Sequence, residues 1–243
     1  MKTLLIGNGY WGGIIKPKLQ ALTDLICVAD SKSSIDLLLK CDIDFVFVCS
    51  SVESHYDIVK MCIENKKNVF CEKPFTGNLN MAKELYKLAD GKIKIFVDNI
   101  FLYRPEFVEM SKVKFNIIKF IWKKYDTNNE DIMDRLVYHD LYMLIDMTDD
   151  KWIILKNINK NGRVDIEMVN EGKIAKFEYD MNYSGKEKLI IIDDRKIDFS
   201  NPKTDPLMEV IRNICDDKID YESNKKLTIS TLKILDRLKN DNK

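Results

Sequence analysis

The strand-like run Thr3-Leu4-Leu5-Ile6 leads directly into Gly7-Asn8-Gly9-Tyr10-Trp11-Gly12, and a second apolar run, Leu25–Ala29, ends in Asp30. Each part of this arrangement has a mechanical purpose. Gly7 permits a tight turn off the strand, Gly9 lets a pyrophosphate approach the backbone, and Gly12 lets the following helix pack on the sheet. The helix N-terminus then offers its N–H groups to phosphate, with Asn8, Tyr10 and Trp11 around it. An acid at the end of the second strand can accept hydrogen bonds from both ribose hydroxyls and would repel a 2′-phosphate, which favours NAD. Ser31, Lys32 and Ser33 could serve a phosphate, so NADP is the alternative. Asp30 could also be a helix cap. A third piece, Val69-Phe70-Cys71-Glu72-Lys73-Pro74, puts a lysine at the end of another apolar strand. From residue physics alone, Lys73 reads first as a surface lysine before a proline turn.

These residues need a scaffold, and the first hundred positions alternate accordingly. Strands are predicted over 2–6, 25–30, 44–50, 67–71 and 93–97, with helices over 10–22, 33–40, 54–65 and 78–90 between them. Leu25–Ala29, Phe45–Cys49 and Val69–Cys71 are continuously apolar, as strands covered on both faces must be. The alternation predicts a doubly wound parallel sheet of the Rossmann type. Ser50 and Ser51 lie at the end of its third strand. Pro17 falls inside the first helix and should kink or shorten it.

The rhythm changes after Pro105. A long strand is expected over 112–126 and a helix over Ile132–Met147, with Ile132, Leu136, His139, Met143 and Asp146 along one face. Strands follow at 151–159, 163–170, 173–183 and 187–193. Asn161-Gly162, Glu171-Gly172 and Ser184-Gly185 read as hairpin turns, so this sheet should be open and mainly antiparallel. Asp193-Asp194-Arg195-Lys196 reads as a solvated hairpin turn. Helices near 205–216 and 226–239 close the chain, and the tail Lys239–Lys243 is expected to fray. The fold class is therefore α/β, with a dinucleotide-binding domain over 1–104 and an α+β domain for substrate binding and oligomerisation over 105–243.

Bulk composition narrows the function. With 39 Lys+Arg against 39 Asp+Glu, no global field would draw the chain to nucleic acid or an anionic membrane. No apolar run approaches a membrane span, and the N-terminus does not read as a leader, so a cytoplasmic protein is expected. The six cysteines form no CxxC, and Cys27, Cys49 and Cys71 lie in apolar runs as small reduced hydrophobes. With two histidines in the chain, no metal site is expected.

Glu72-Lys73-Pro74 after an apolar strand, together with the N-terminal Gly-x-Gly-x-x-Gly, resembles the Gfo/Idh/MocA oxidoreductases. Ser51-Val52-Glu53-Ser54-His55 stands where that family commonly has Pro-Asn-x-x-His. The stretch from Val97 to Pro105 resembles its crossing into the second domain, and His139-Asp140-Leu141 its His-Asp-Leu helix. The resemblance is dense over 1–105, patchy over 106–150 and architectural beyond. It implies hydride transfer at a hydroxyl or keto carbon. Lys73, partly desolvated beside a cationic nicotinamide, would hold and return the proton or polarise the carbonyl. Glu72 would orient it, His139 would be the second acid/base, and His55, counted with the cofactor site, would fix its own helix rather than touch substrate. Asn99, Tyr103 and Tyr138 are candidates for the substrate pocket, which is expected in the cleft between the domains.

The chain departs from the family pattern in three respects. The aspartate many relatives carry four residues before the histidine is Arg135, with Asp134 one step off. The loop asparagine is Val52, and the second domain is short. The family implies a sugar, polyol or nucleotide-sugar substrate, with a lean toward surface-glycan precursors, and a homodimer or homotetramer built through the C-terminal sheet. Trp122 and Trp152, placed in its strands, are read as core or interface, at least one of them at the interface. The rival readings are a biliverdin-reductase-like reduction of a non-sugar ligand and a non-catalytic dinucleotide-binding regulator.

Overall fold

Parallel pairing of the predicted apolar runs produces a five-stranded sheet in the order β2-β1-β3-β4-β5. Its strands are β1 (Lys2–Ile6), β2 (Asp24–Ala29), β3 (Phe45–Val48), β4 (Asn68–Cys71) and β5 (Ile95–Val97). The computed structural model describes residues 1–126 and 131–240. It divides into two units, one of Met1–Ile100 with Pro206–Ile229, the other of Phe101–Asp205 with the chain from Ser230 onward. The last residues of the tail expected to fray, 241–243, lie outside the described residues.

In the first unit, helices α1 (Tyr10–Leu22), α2 (Ile35–Leu39), α3 (Val52–Glu64) and α4 (Leu79–Ala89) link the strands. The order reverses between β1 and β3, and a doubly wound sheet opens a crevice at such a point, at the carboxyl ends of its strands. Phe47, Phe70 and Phe96 are register partners on β3, β4 and β5, and their rings stack at 5.1 and 5.8 Å. Each such pair adds about 0.5–1.5 kcal/mol beyond its buried area.

One expectation fails here and a second fails in part. β2 is an edge strand with Ile26 half-exposed, so its apolar run is not covered on both faces. α1 continues through Pro17 to Leu22, so the proline does not shorten it. β5 is the opposite edge. The Asn224 side chain, on helix α8 (Tyr221–Asn240), accepts from Val97 N–H at 2.8 Å and donates to Val97 C=O at 2.9 Å. This amide satisfies backbone groups that the sheet leaves unpaired.

The second unit is built on six strands in the order β11-β10-β6-β9-β8-β7. They are β6 (Ile117–Tyr125), β7 (Ile153–Lys160), β8 (Arg163–Asn170), β9 (Lys173–Asp180), β10 (Asn182–Ile192) and β11 (Arg195–Asp198). All neighbours are antiparallel except β6 and β9. Asn161-Gly162 and Glu171-Gly172 turn with positive φ at both positions, 54° and 73°, then 48° and 84°, which is the type I′ geometry hairpins favour.

Ser184-Gly185 is not a hairpin turn. It lies within β10, where the register against β6 slips between Asn182 and Lys186. The chain instead leaves β9 at Met181, and β9 and β10 flank β6 on opposite sides. The Asp193-Asp194 turn joins β10 to β11, with Arg195 and Lys196 already in the strand. Trp152 precedes β7 rather than lying in a strand. It is buried within its own chain, its Nε1 donating to Thr148 Oγ1 at 3.1 Å, and is not offered to a partner.

Helix α6 (Tyr138–Met147) is buried on every side from Tyr138 to Ile145. A one-turn π-helix, Met133–Val137, leads into it. Helix α5 (Pro105–Met110) opens the unit, and α7 (Pro206–Cys215) belongs with the first unit. No helix among the described residues is long and apolar enough to cross a membrane.

Candidate functional site

The glycine turn after β1 is held by close packing. Gly7 has φ of 100°, and a Cβ there would lie 2.5 Å from Cys49 O and 2.7 Å from Ser50 N. A Cβ on Gly12 would lie 2.0 Å from Gly7 O. The three-way contact of turn, helix start and β3 therefore tolerates hydrogen alone at both positions. Gly9, by contrast, faces open space and is the residue before the first turn of α1, with no side-chain cap. Tyr10 is 79% exposed and packs edge-on against Trp11 at 5.4 Å. This is the arrangement a pyrophosphate requires: a tight turn, an open glycine and uncapped N–H groups.

Asp30 does not cap α2, whose N-cap is Ser34. Its Oδ1 accepts from Lys32 N–H and Ser33 Oγ, both at 2.9 Å. These hydrogen bonds, the Lys32 backbone first, hold the exposed carboxyl below its usual range, so it is anionic at neutral pH.

His55 is buried on α3 with Nδ1 3.0 Å from Pro74 O and Nε2 3.1 Å from Ser50 O. It ties the loop after β3 to the loop after β4. Burial keeps the imidazole below its ordinary pKa, with the two carbonyls opposing. Ser50 Oγ accepts from Ser54 Oγ at 2.8 Å, and Ser51 is the N-cap residue of α3.

The register of β3, β4 and β5 assembles the next cluster. Glu72 N–H donates to Val48 O, and Asp98 N–H to Cys71 O, each at 2.9 Å. With Cys71 opposite Val97, the residues that follow them, Glu72 and Asp98, become neighbours. Both are buried, at 4% and 2% exposure, and their carboxyl groups hydrogen-bond to each other. Burial pushes Glu72 up to about 7 against the opposing charge of Lys73. Burial, then the Glu72 charge, pushes Asp98 well above the carboxylate range. Asn99 follows, fully buried, and neither atom of its amide has a partner among the described residues. Sequence reasoning missed Asp98. The signal was there: an acid directly after a continuously apolar strand beside the Glu72 strand.

A second cluster belongs to the second unit. His139 stacks on Phe101 at 4.4 Å, and its Nδ1 lies 3.2 Å from Tyr142 Oη. Tyr142 Oη in turn accepts from Phe101 N–H at 3.0 Å, so the imidazole is oriented by a hydroxyl anchored to the backbone. The Lys188 ammonium, 5% exposed, lies 3.7 Å over Phe101, 3.8 Å over Trp122 and 5.2 Å over Phe199. Burial raises Asp140 to about 6 while Lys188 and the 2.5 Å hydrogen bond from Tyr179 pull it down. Lys188 was also missed, although alternation puts it on the same sheet face as Ile190 and Ile192.

Tyr138 is fully buried with its ring edge-on to Tyr142 at 5.9 Å, and Tyr103 is half-buried at the end of the turn Ile100–Tyr103. Arg135 pairs with Asp126, and Asp134 with Lys239 at 2.5 Å. The π-turn matters for the departure around His139. It includes Asp134 and ends before His139, and the Asp134 carboxylate is held by Lys239. Lys73, Glu72, Asn99 and the glycine turn thus belong to the first unit, and Tyr103, Tyr138 and His139 to the second.

Fold and site together define a dinucleotide-binding Rossmann domain carrying an acid–lysine pair at a strand end, followed by a mixed-sheet α+β unit. Residues 13–99 match the Gfo/Idh/MocA oxidoreductase family, NAD-binding Rossmann fold. The chain is 47% identical to the uncharacterized oxidoreductase YhhX of Escherichia coli over 21% of its length and 15% of that protein. Myo-inositol 2-dehydrogenase of Thermotoga maritima is 44% identical over 32% of this chain and 30% of that protein. Biliverdin reductase A of Homo sapiens is 31% identical over 32% of this chain and 26% of that protein. The chain thus matches less than a third of these curated relatives' length.

Solved structures match along nearly the whole chain. UDP-N-acetylglucosamine 3-dehydrogenase GnnA from Acidithiobacillus ferrooxidans has a TM-score of 0.82 at 17% identity, covering 96% of both chains. GenD2 from gentamicin A biosynthesis, in complex with NAD, has 0.83 at 15%, covering 100% of this chain and 95% of that one. At such identities the likeness is one of fold, and it bears out the expected class of a parallel Rossmann sheet followed by an open, mainly antiparallel one.

Proposed function

We propose that the protein is an NAD-dependent oxidoreductase that transfers a hydride reversibly at a secondary alcohol or ketone of a sugar or nucleotide sugar. The observation that carries this reading is Lys73, which follows β4 beside a buried carboxyl pair, in a domain whose β1–α1 connection is packed to admit only glycine at positions 7 and 12. Gly7, Asn8, Gly9, Tyr10, Trp11 and Gly12 would hold the pyrophosphate, Asp30 the adenosine ribose, and Ser50, Ser51 and the loop clamped by His55 the nicotinamide side. Bound NAD supplies the hydride acceptor or donor. Lys73 holds the proton of the substrate hydroxyl at Nζ, or polarises the ketone as an ammonium. His139 is the second acid/base, oriented through Nδ1 by Tyr142. Asn99, Tyr103 and Tyr138 contribute to substrate binding. The sugar-related names among the similar proteins support the substrate class. The open face of the second sheet is the proposed seat of a homo-oligomer, since such faces are commonly covered by a partner.

A reduction and oxidation screen with NAD(H) and NADP(H) against nucleotide sugars, free sugars and inositols tests the reading. Lys73→Ala and His139→Ala should each lower turnover by roughly a hundredfold or more. Unchanged rates in both would remove the mechanism. Reduction of a linear tetrapyrrole that survives Lys73→Ala would move the assignment to the chemistry named for the human relative. NADP(H) binding at least as tight as NAD(H) would refute the role given to Asp30.

A further inference from the structure

The carboxyl groups of Glu72 and Asp98 are neighbours because β4 and β5 are parallel and in register, and both residues are buried. Ionised carboxylates only accept hydrogen bonds, so two of them in contact need a proton between them. Two unprotonated carboxylates packed together without water would pay both desolvation and mutual repulsion. One proton for the pair removes the repulsion and leaves a single charge.

The surroundings decide which group carries it. Glu72 accepts from the Lys73 backbone N–H and lies beside the Lys73 ammonium, both of which favour its ionised form. Asp98 has an Oδ1 without a partner among the described residues, so a negative charge there would be poorly solvated. Its one backbone donor is Ile100 N–H. The other titratable groups facing the pair are the Cys49 and Cys71 thiols, which burial holds in their neutral form. No second cation acting on the pair is found among the described residues, so one negative charge faces one ammonium.

We propose that Glu72 and Asp98 share one proton, carried by Asp98, and that the single charge of the pair sits on Glu72 as the fixed counter-ion that positions the Lys73 ammonium. Asp98 is then a positioning residue. Its hydroxyl donates to Glu72 and lets a buried carboxylate persist beside the lysine without a second negative charge. The inference deepens the functional reading above, which rests on Lys73, but the proton itself can be observed without turnover.

The test starts on the free protein labelled with 13C at Asp and Glu side-chain carboxyls, titrated by NMR. One strongly shifted carboxyl should stay protonated at pH 7 in the wild type. The signal should vanish in Asp98→Asn, whose amide can still donate to Glu72, while circular dichroism shows the fold kept. Glu72→Gln should shift the Lys73 limb of the activity pH profile downward by roughly one pH unit, because the nearby opposite charge is lost. No protonated carboxyl at pH 7 in the wild type overturns the proposal, whatever the variants do. A proton signal that persists in Asp98→Asn and disappears in Glu72→Gln overturns its assignment to Asp98. A shared proton found as expected, combined with full turnover in Lys73→Ala, upholds the pair and removes the catalytic reading instead.

Discussion

Gly12 and Gly13 are adjacent in the first turn of α1, yet the same change to alanine should act in opposite directions. At Gly13 a Cβ meets nothing within 4 Å, and the residue already makes the helical bond from its N–H to Gly9 O at 2.8 Å. Replacing a helical glycine there gains about 0.5–1 kcal/mol, chiefly by restricting the unfolded chain. At Gly12 the same atom would sit 2.0 Å from Gly7 O and 2.9 Å from Gly7 C. The obstacle is backbone, fixed in turn by Gly7 against Cys49 and Ser50, so no side chain can swing away. Overpacking costs about 1–3 kcal/mol, and a contact this short belongs at the upper end. Less a helix-propensity gain of about 1 kcal/mol, Gly12→Ala should lose about 2 kcal/mol. For a chain of this size that is a fall of about 4–8 °C in Tm, against a rise of about 1–4 °C for Gly13→Ala. Thermal melts by circular dichroism read both, and calorimetric titration with NAD should show a weakened affinity in Gly12→Ala alone. If Gly12→Ala melts at or above Gly13→Ala, the packing argument for the cofactor turn is wrong.

Asn224→Ala strips the edge strand β5 of both its side-chain partners at Val97, and at about 1–3 kcal/mol for an unsatisfied buried group the loss should reach about 2–4 kcal/mol in urea unfolding. A loss below half a kilocalorie would mean that water replaces the amide at this edge. Lys188→Met keeps the aromatic packing but removes the cation that holds the Asp140 carboxyl down. Burial already raises Asp140 above its unfolded pKa, so its penalty is absent at low pH and grows as pH rises through the folded value. The variant should therefore lose about 3–5 kcal/mol at pH 8 and clearly less at pH 5. Equal losses at the two pH values would show that the charge of Asp140 does not depend on Lys188.

Much of the first unit is legible from the chain because its signals are local. A glycine turn, an apolar strand and an acid at the next strand end are each signalled by residues close together in the chain. Where a tertiary neighbour takes over, the local signal misleads. Pro17 looks like a breaker, yet α1 runs on to Leu22. Ser184-Gly185 looks like a turn, yet pairing against β6 carries β10 straight through it with a slip of register. Ile132–Met147 reads as one regular helix, yet it opens with a π-turn, Met133–Val137, before α6 begins at Tyr138.

The sequence alone determined the parallel Rossmann sheet, the second antiparallel architecture, the glycine turn and the candidacy of Asp30, Lys73 and His139, since each rests on the period or type of nearby residues. Tertiary structure decided which distant groups share a dry environment. It brings Asp98 to Glu72 across twenty-six positions because β4 and β5 pair in register. It also encloses Lys188 between Phe101, Trp122 and Phe199 because β10 lies beside β6. Charge states in such places depend on burial and on partners remote in the chain, and neither can be read from spacing.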